Sequence, residues 1–117
     1  MANCKIDFLE ETNGLDILCA EITKGGYYLN SDERFRAILP IGFTDNELSL
    51  FLSAIDYTYD SVYGGQEVYG TIWYKDGTWS ERGGYDGSEW WEHKVCPDIP
   101  DALLCNEGSF TPPTKHA

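Results

Sequence analysis

Positive charge is scarce in this sequence. Eight Lys and Arg stand against twenty Asp and Glu in 117 residues, a formal net charge of -12. No Lys or Arg occurs between Arg36 and Lys75, although Asp45, Glu47, Asp56, Asp60 and Glu67 all fall in that interval. Phosphate binding needs a basic footprint, so nucleic acid is not expected as a direct partner. The same deficit argues against anionic membrane surfaces. Long apolar runs are also missing, since nothing approaches the about 18 residues of a membrane helix. The opening "MANCKIDFLEET" lacks the basic stretch and apolar run of a signal peptide. Together these features predict a soluble, cytoplasmic protein. Cys4, Cys19, Cys96 and Cys105 would then be free thiols, mostly buried as small hydrophobes.

Catalytic and metal signatures are missing as well. His93-x-x-Cys96 is the one close ligand pair, with Cys4 and Cys105 elsewhere, whereas zinc sites use paired close ligands. No metal or cofactor is expected. A thiol nucleophile drawn from Cys96 or Cys105 with His93 or His116 would need an orienting geometry that spacing does not supply. Asp86, Glu89 and Glu92 lie among tryptophans, as the carboxylates of a glycosidase would. Such hydrolases use a larger, cleft-bearing scaffold.

What is present is enough for one core. The chain is 42% hydrophobic and 15% aromatic, which excludes disorder for its body. Its length predicts a single domain over residues 1–108, followed by a mobile tail over 109–117. Within residues 4–42 the weak alternation of residues 15–22 reads as a strand, and Lys24-Gly25-Gly26 as a hairpin connection. Tyr27 to Leu29 would be the return strand, and "RFRAILPIG" a further extended segment. "FTDNEL" starts a helix: Thr44 caps, Glu47 completes a capping box, and Phe43 with Leu48 forms a hydrophobic staple. Leu48, Phe51, Leu52 and Ile55 then line one apolar face, which belongs to the core.

The block "TIWYKDGTWSERGGYDGSEWWEH" contains all four tryptophans. Glu67 to Tyr74, Thr78 to Arg82 and Ser88 to Val95 read as a three-stranded meander. "YKDGT" predicts a three-residue bulged loop with Gly77 left-handed, which sets Trp73 opposite Trp79. A two-residue turn would oppose Tyr74 and Trp79 instead. Trp90 and Trp91 are adjacent on one strand and must face opposite ways. One enters the core against the helix face. The other points outward, or is covered by the segment from Pro97 to Pro100. Beyond Val95 the prolines stop strand formation, and Asp101 to Leu104 is a candidate helical turn.

The run "GTIWYKDGTWSERGGYDGSEWWEHKVCPDIP" resembles blocks in short hypothetical proteins encoded by bacteriophages and prophages. The resemblance covers about residues 70–100 and carries no assigned activity. It implies a small acidic inhibitor of host defence, of the anti-CRISPR or anti-restriction kind, with DNA mimicry among the known routes. The chain is less acidic and more aromatic than mimicry requires.

The combined expectation is an α+β fold: an antiparallel sheet of about four to six strands with one amphipathic helix on one face. The function expected is non-enzymatic: to bind and block the basic, nucleic-acid-binding surface of a partner protein. The contact residues expected are Asp56, Asp60, Glu67, Trp73, Tyr85, Asp86, Glu89, Trp90 and Glu92. The alternative is a small carbohydrate- or ligand-binding module using the tryptophans.

Overall fold

The computed structural model describes residues 2–25, 34–59, 66–85 and 88–104. The elements run β1 (Ala2–Asn3), α1 (Cys4–Glu11), β2 (Ile17–Lys24), β3 (Phe35–Leu39), α2 (Asp45–Ala54), β4 (Thr58–Tyr59), β5 (Val68–Tyr74), β6 (Trp79–Tyr85), β7 (Ser88–Lys94) and α3 (Asp101–Leu104). Five strands form one antiparallel sheet in the order β3-β2-β5-β6-β7, and β1 pairs with β4 in a second, two-stranded sheet. The fold is α+β. Among the described residues no helix is long and apolar enough to cross a membrane.

Local chemistry accounts for the clearest elements. Thr44 accepts from the Glu47 N–H at 3.1 Å, and the Glu47 carboxylate accepts from the Thr44 N–H at 2.9 Å, closing the expected capping box of α2. Phe51 and Ile55 on its apolar face are buried, with Leu48 and Leu52 half-buried against them. Each fully buried side chain of this kind contributes about 2 kcal/mol. The β5–β6 connection is the bulged loop. The Tyr74 N–H bonds the Thr78 carbonyl, Gly77 has φ +90°, and Trp73 pairs with Trp79.

Helix α1 was not foreshadowed by the strand reading of residues 4–42. Asn3 caps it by accepting from the Ile6 N–H, and Cys4 and Phe8 turn their one-helical-turn spacing inward. The Phe8 ring meets Phe51 at 5.3 Å between centroids, which joins the two helices in one layer. α2 packs beneath β3, and α1 reaches β7. β2 extends to Lys24, so this residue belongs to the strand rather than to a turn, and β3 is its antiparallel partner. The expected return strand from Tyr27 to Leu29 lies outside the described residues, as does the tail over 109–117. α3 is the expected single turn.

Register divides the sheet cleanly. Ala37, Leu39, Ala20, Ile22, Val68, Ile72, Tyr74 and Ser80 lie on the inner face, under the helices, and all are buried. At Gly70 the backbone of β2 comes so near that a Cβ would stand 2.3 Å from the Glu21 carbonyl oxygen, so glycine is required there. The opposite, outer face has no described layer over it: Ile38, Tyr69, Trp73, Tyr85 and Trp90 are all exposed.

Candidate interaction face

Strand pairing sets the rows of side chains on the outer face. Glu21 pairs with Thr71, Thr71 with Glu81, and Glu81 with Glu92, so one row of side chains crosses four strands and carries three carboxylates. On one side of this row Trp73, Trp79 and Lys94 form the neighbouring row by direct pairing. On the other side stand Tyr69 on β5 and Trp90 on β7, the latter opposite Gly83. The result is a row of carboxylates between aromatic side chains. Trp73 and Trp90 are 41% and 39% exposed, and Tyr85, at the end of β6, is 78% exposed.

Two of the carboxylates hold the tryptophans in place. The Trp79 indole N–H donates to Glu81 Oε2 at 3.2 Å, and the Trp90 indole N–H donates to Glu92 Oε2 at 2.8 Å. Gly83 makes room for the second pair, because a Cβ there would lie 3.1 Å from the Glu92 carboxylate and 3.2 Å from the Trp90 Nε1. The remaining oxygens, Oε1 of both glutamates, face Lys94 Nζ at 3.6 and 3.8 Å. Neither contact reaches hydrogen-bonding distance. Glu21 is paired with Arg36.

Parity resolves the tryptophan pair. Trp90 is the outward one, and the residues from Val95 to Leu103 are themselves exposed. Trp91 points inward, packs against the buried core and also meets Arg82. The Arg82 guanidinium carbon lies 5.2 Å from the Trp91 ring centre and 5.5 Å from that of Tyr59. Its Nη2 donates to Glu89 Oε1 at 2.7 Å and to the Tyr59 hydroxyl at 3.2 Å. Burial opposes the guanidinium charge, but hydrogen bonds to Glu89 and Tyr59 outweigh it and hold the Arg82 pKa above its ordinary value. Tyr59 in turn donates to Asp7. Burial, then this bond, pushes the Tyr59 hydroxyl up to about 12.

The nine expected contact residues therefore separate. Trp73, Tyr85, Trp90 and Glu92 share the outer face. Glu89 does not: its side chain is 1% exposed, locked to Arg82, and accepts from the backbone N–H groups of Glu67 and Val68 at 2.9 Å each. Those bonds fix the start of β5 and commit the buried carboxylate to a structural task. Asp56 lies in the helix layer, where its carboxylate accepts from Asn3 at 3.1 Å and sits 4.0 Å from Lys5. Glu67 contributes its backbone N–H to Glu89 and its carbonyl to Gly25. Asp60 and Asp86 lie outside the described residues. Glu21, Glu81, Trp79 and Lys94 escaped the sequence reading as contact residues. A signal was present, because Trp79-Ser-Glu81 and Trp90-Trp-Glu92 repeat one Trp-x-Glu spacing, which sets indole and carboxylate on the same face of a strand.

The enzymatic candidates find other partners. A cleft of about 280 Å³ at the α1–β7 side is lined by Asp7, Glu10, Glu11, Arg82, Glu89, Trp90 and Trp91. In it Glu89 is held by Arg82, Asp7 receives Tyr59, and Glu11 accepts from the Ser80 hydroxyl at 2.6 Å. His93 Nε2 lies 2.9 Å from the Thr78 hydroxyl, and its ring stands edge-on to Tyr74. No group of three metal-ligating side chains occurs among the described residues. Cys4 is buried, Cys19 half-buried and Cys96 exposed, all free. Burial pushes the Cys4 thiol up to about 11, in spite of the Tyr57 hydroxyl beside it. Among the described residues that hydroxyl has no oxygen or nitrogen partner, and the thiol is a weak substitute.

No family model, no curated protein and no solved structure matches this chain.

Proposed function

We propose that this chain is a non-enzymatic acidic interaction protein that binds, and so blocks, a basic nucleic-acid-handling surface of another protein. The observation that carries this reading is the outer sheet face, where exposed tryptophans flank a row of carboxylates and nothing described packs over them. Aromatic side chains with one polar handle supply durable contact area. The net charge of -12 favours encounter with a basic surface and repels nucleic acid itself. The likeness of residues 70–100 to phage-encoded blocks gives the reading its setting, an inhibitor of a host defence nuclease complex that acts by covering. Contact through aromatics suits this face better than imitation of a phosphate backbone, because Glu21, Glu81 and Glu92 already engage Arg36, Lys94 or an indole.

The same tryptophans favour a second reading, a small carbohydrate-binding module, since flat exposed rings also stack on sugars. Salt separates the two. Contact with a basic surface weakens as ionic strength rises, whereas sugar stacking does not. The test is capture from a bacterial lysate on the immobilised chain and on a Trp73→Ala, Trp90→Ala variant. Expected is a nucleic-acid-binding protein retained by the parent chain alone, released by salt and displaced by added duplex DNA. Identical retention on both chains, or retention indifferent to DNA, would contradict the proposal.

A further inference from the structure

Glu81 and Glu92 stand directly opposite one another on the outer face. Like charges in that position destabilise a strand pair. Each carboxylate turns Oε2 to its own indole and leaves Oε1 toward a shared space. The occupant of that space is Lys94, whose ammonium stays beyond hydrogen-bonding distance of both oxygens and whose side chain is 45% exposed. A point charge on a flexible stem fills this seat loosely. A guanidinium differs in kind, being planar, with a fork of donors able to address two acceptors and a face that stacks on indole. The inner face of the same two strands shows such an arrangement complete, with the Arg82 guanidinium held by Glu89 and set against the Trp91 ring.

We infer that Glu81 and Glu92, between Trp79 and Trp90, form the seat for an arginine side chain of the basic partner, and that Lys94 is a resident cation which the arginine displaces. This rests on the proposed use of the outer face and names the group recognised there. It also makes Lys94 a brake: it holds the carboxylates apart from solvent cations and must leave before the partner's guanidinium can enter.

The test measures binding of a polyarginine peptide and a length-matched polylysine peptide to the full chain, followed by tryptophan fluorescence. Polyarginine is expected to bind more tightly than polylysine. Glu81→Gln and Glu92→Gln should each weaken polyarginine by about tenfold, the scale of one charged hydrogen bond. Lys94→Met should strengthen it severalfold. Charge-matched controls, Asp16→Asn and Lys75→Met, separate the seat from net charge, and thermal melts verify that every variant is folded. If Lys75→Met strengthens binding as much as Lys94→Met, the effect is bulk charge and the resident-cation proposal falls. If Trp73→Ala abolishes peptide binding while the Glu81, Glu92 and Lys94 variants do not alter it, the arginine seat is wrong although the outer face remains the binding surface. If neither peptide binds, both the seat and that use of the face are contradicted.

Discussion

The two faces of the β6–β7 hairpin use the same ingredients, a cation, carboxylate and tryptophan, for opposite ends. On the inner face Arg82, Glu89 and Trp91 are closed in, with the ion pair at 2.7 Å and side-chain exposures of 2% and 1%. On the outer face Lys94, Glu81, Glu92, Trp79 and Trp90 form a looser set at 3.6 to 3.8 Å, open to solvent. Burial is what separates them. A charge removed from water must be paired and hydrogen-bonded on all sides, and Glu89 meets that demand with Arg82 and two backbone N–H groups. Exposed charges carry no such obligation, so their arrangement is free to serve contact with another molecule.

The largest effect that could break this contrast is Glu89→Ala. Removing the carboxylate leaves a buried guanidinium unpaired and two N–H groups without an acceptor, so unfolding in urea should show a loss of about 3–5 kcal/mol. A cost below about 1 kcal/mol, the range of surface pairs, would mean that the inner pair is no more structural than the outer one.

Alkali should sharpen the contrast next. Cys4 is shifted from 9.0 to about 11, and Tyr59 from 10.0 to about 12. The folded chain thus keeps protons that the unfolded chain releases. The stabilisation is complete below about pH 9, declines first through Cys4 toward 11, and then through Tyr59 toward 12. Urea midpoints measured across that range should fall. Cys4→Ala should flatten the first part of the fall, whereas Glu92→Gln should leave the slope unchanged.

Gly83→Ala should have a smaller effect, about 1 kcal/mol or less on stability. Its stronger signature is local, because the new methyl presses on the Trp90 indole and the Glu92 carboxylate and should shift the Trp90 indole resonance. Smallest of all, Glu92→Gln should alter stability by less than about 0.5 kcal/mol, since it trades an exposed ion pair for relief of like-charge repulsion. A cost comparable with that of Glu89→Ala would erase the distinction between the faces.

Much of this architecture was legible where it depends on neighbours in sequence. The capping box at Thr44 and Glu47, the bulged Asp76-Gly77 loop and the Trp73–Trp79 pair are each set by a few adjacent residues. Helix α1 was less legible. Its eight residues place Ile6 and Leu9 in solvent beside buried Cys4 and Phe8, which blurs the apolar period. The candidate face was half legible. Strand parity required one of Trp90 and Trp91 to point out, but only the partners across the hairpin decide which. Arg82 opposite Trp91 and Gly83 opposite Trp90 settle that choice. The burial of Glu89 was illegible for the same reason: among many acidic residues, nothing local marks the one that will find a buried arginine.

The four tryptophans supply four reporters of which face is used. The most direct measurement is a ¹⁵N-correlated NMR spectrum of their indole N–H groups during titration with polyarginine. The expected result is movement of the Trp79 and Trp90 signals, whose N–H groups bond Glu81 and Glu92, with the Trp91 signal unmoved. Movement of Trp91 while Trp79 and Trp90 stay fixed would place the contact at the inner side of the hairpin and contradict the assignment of the outer face.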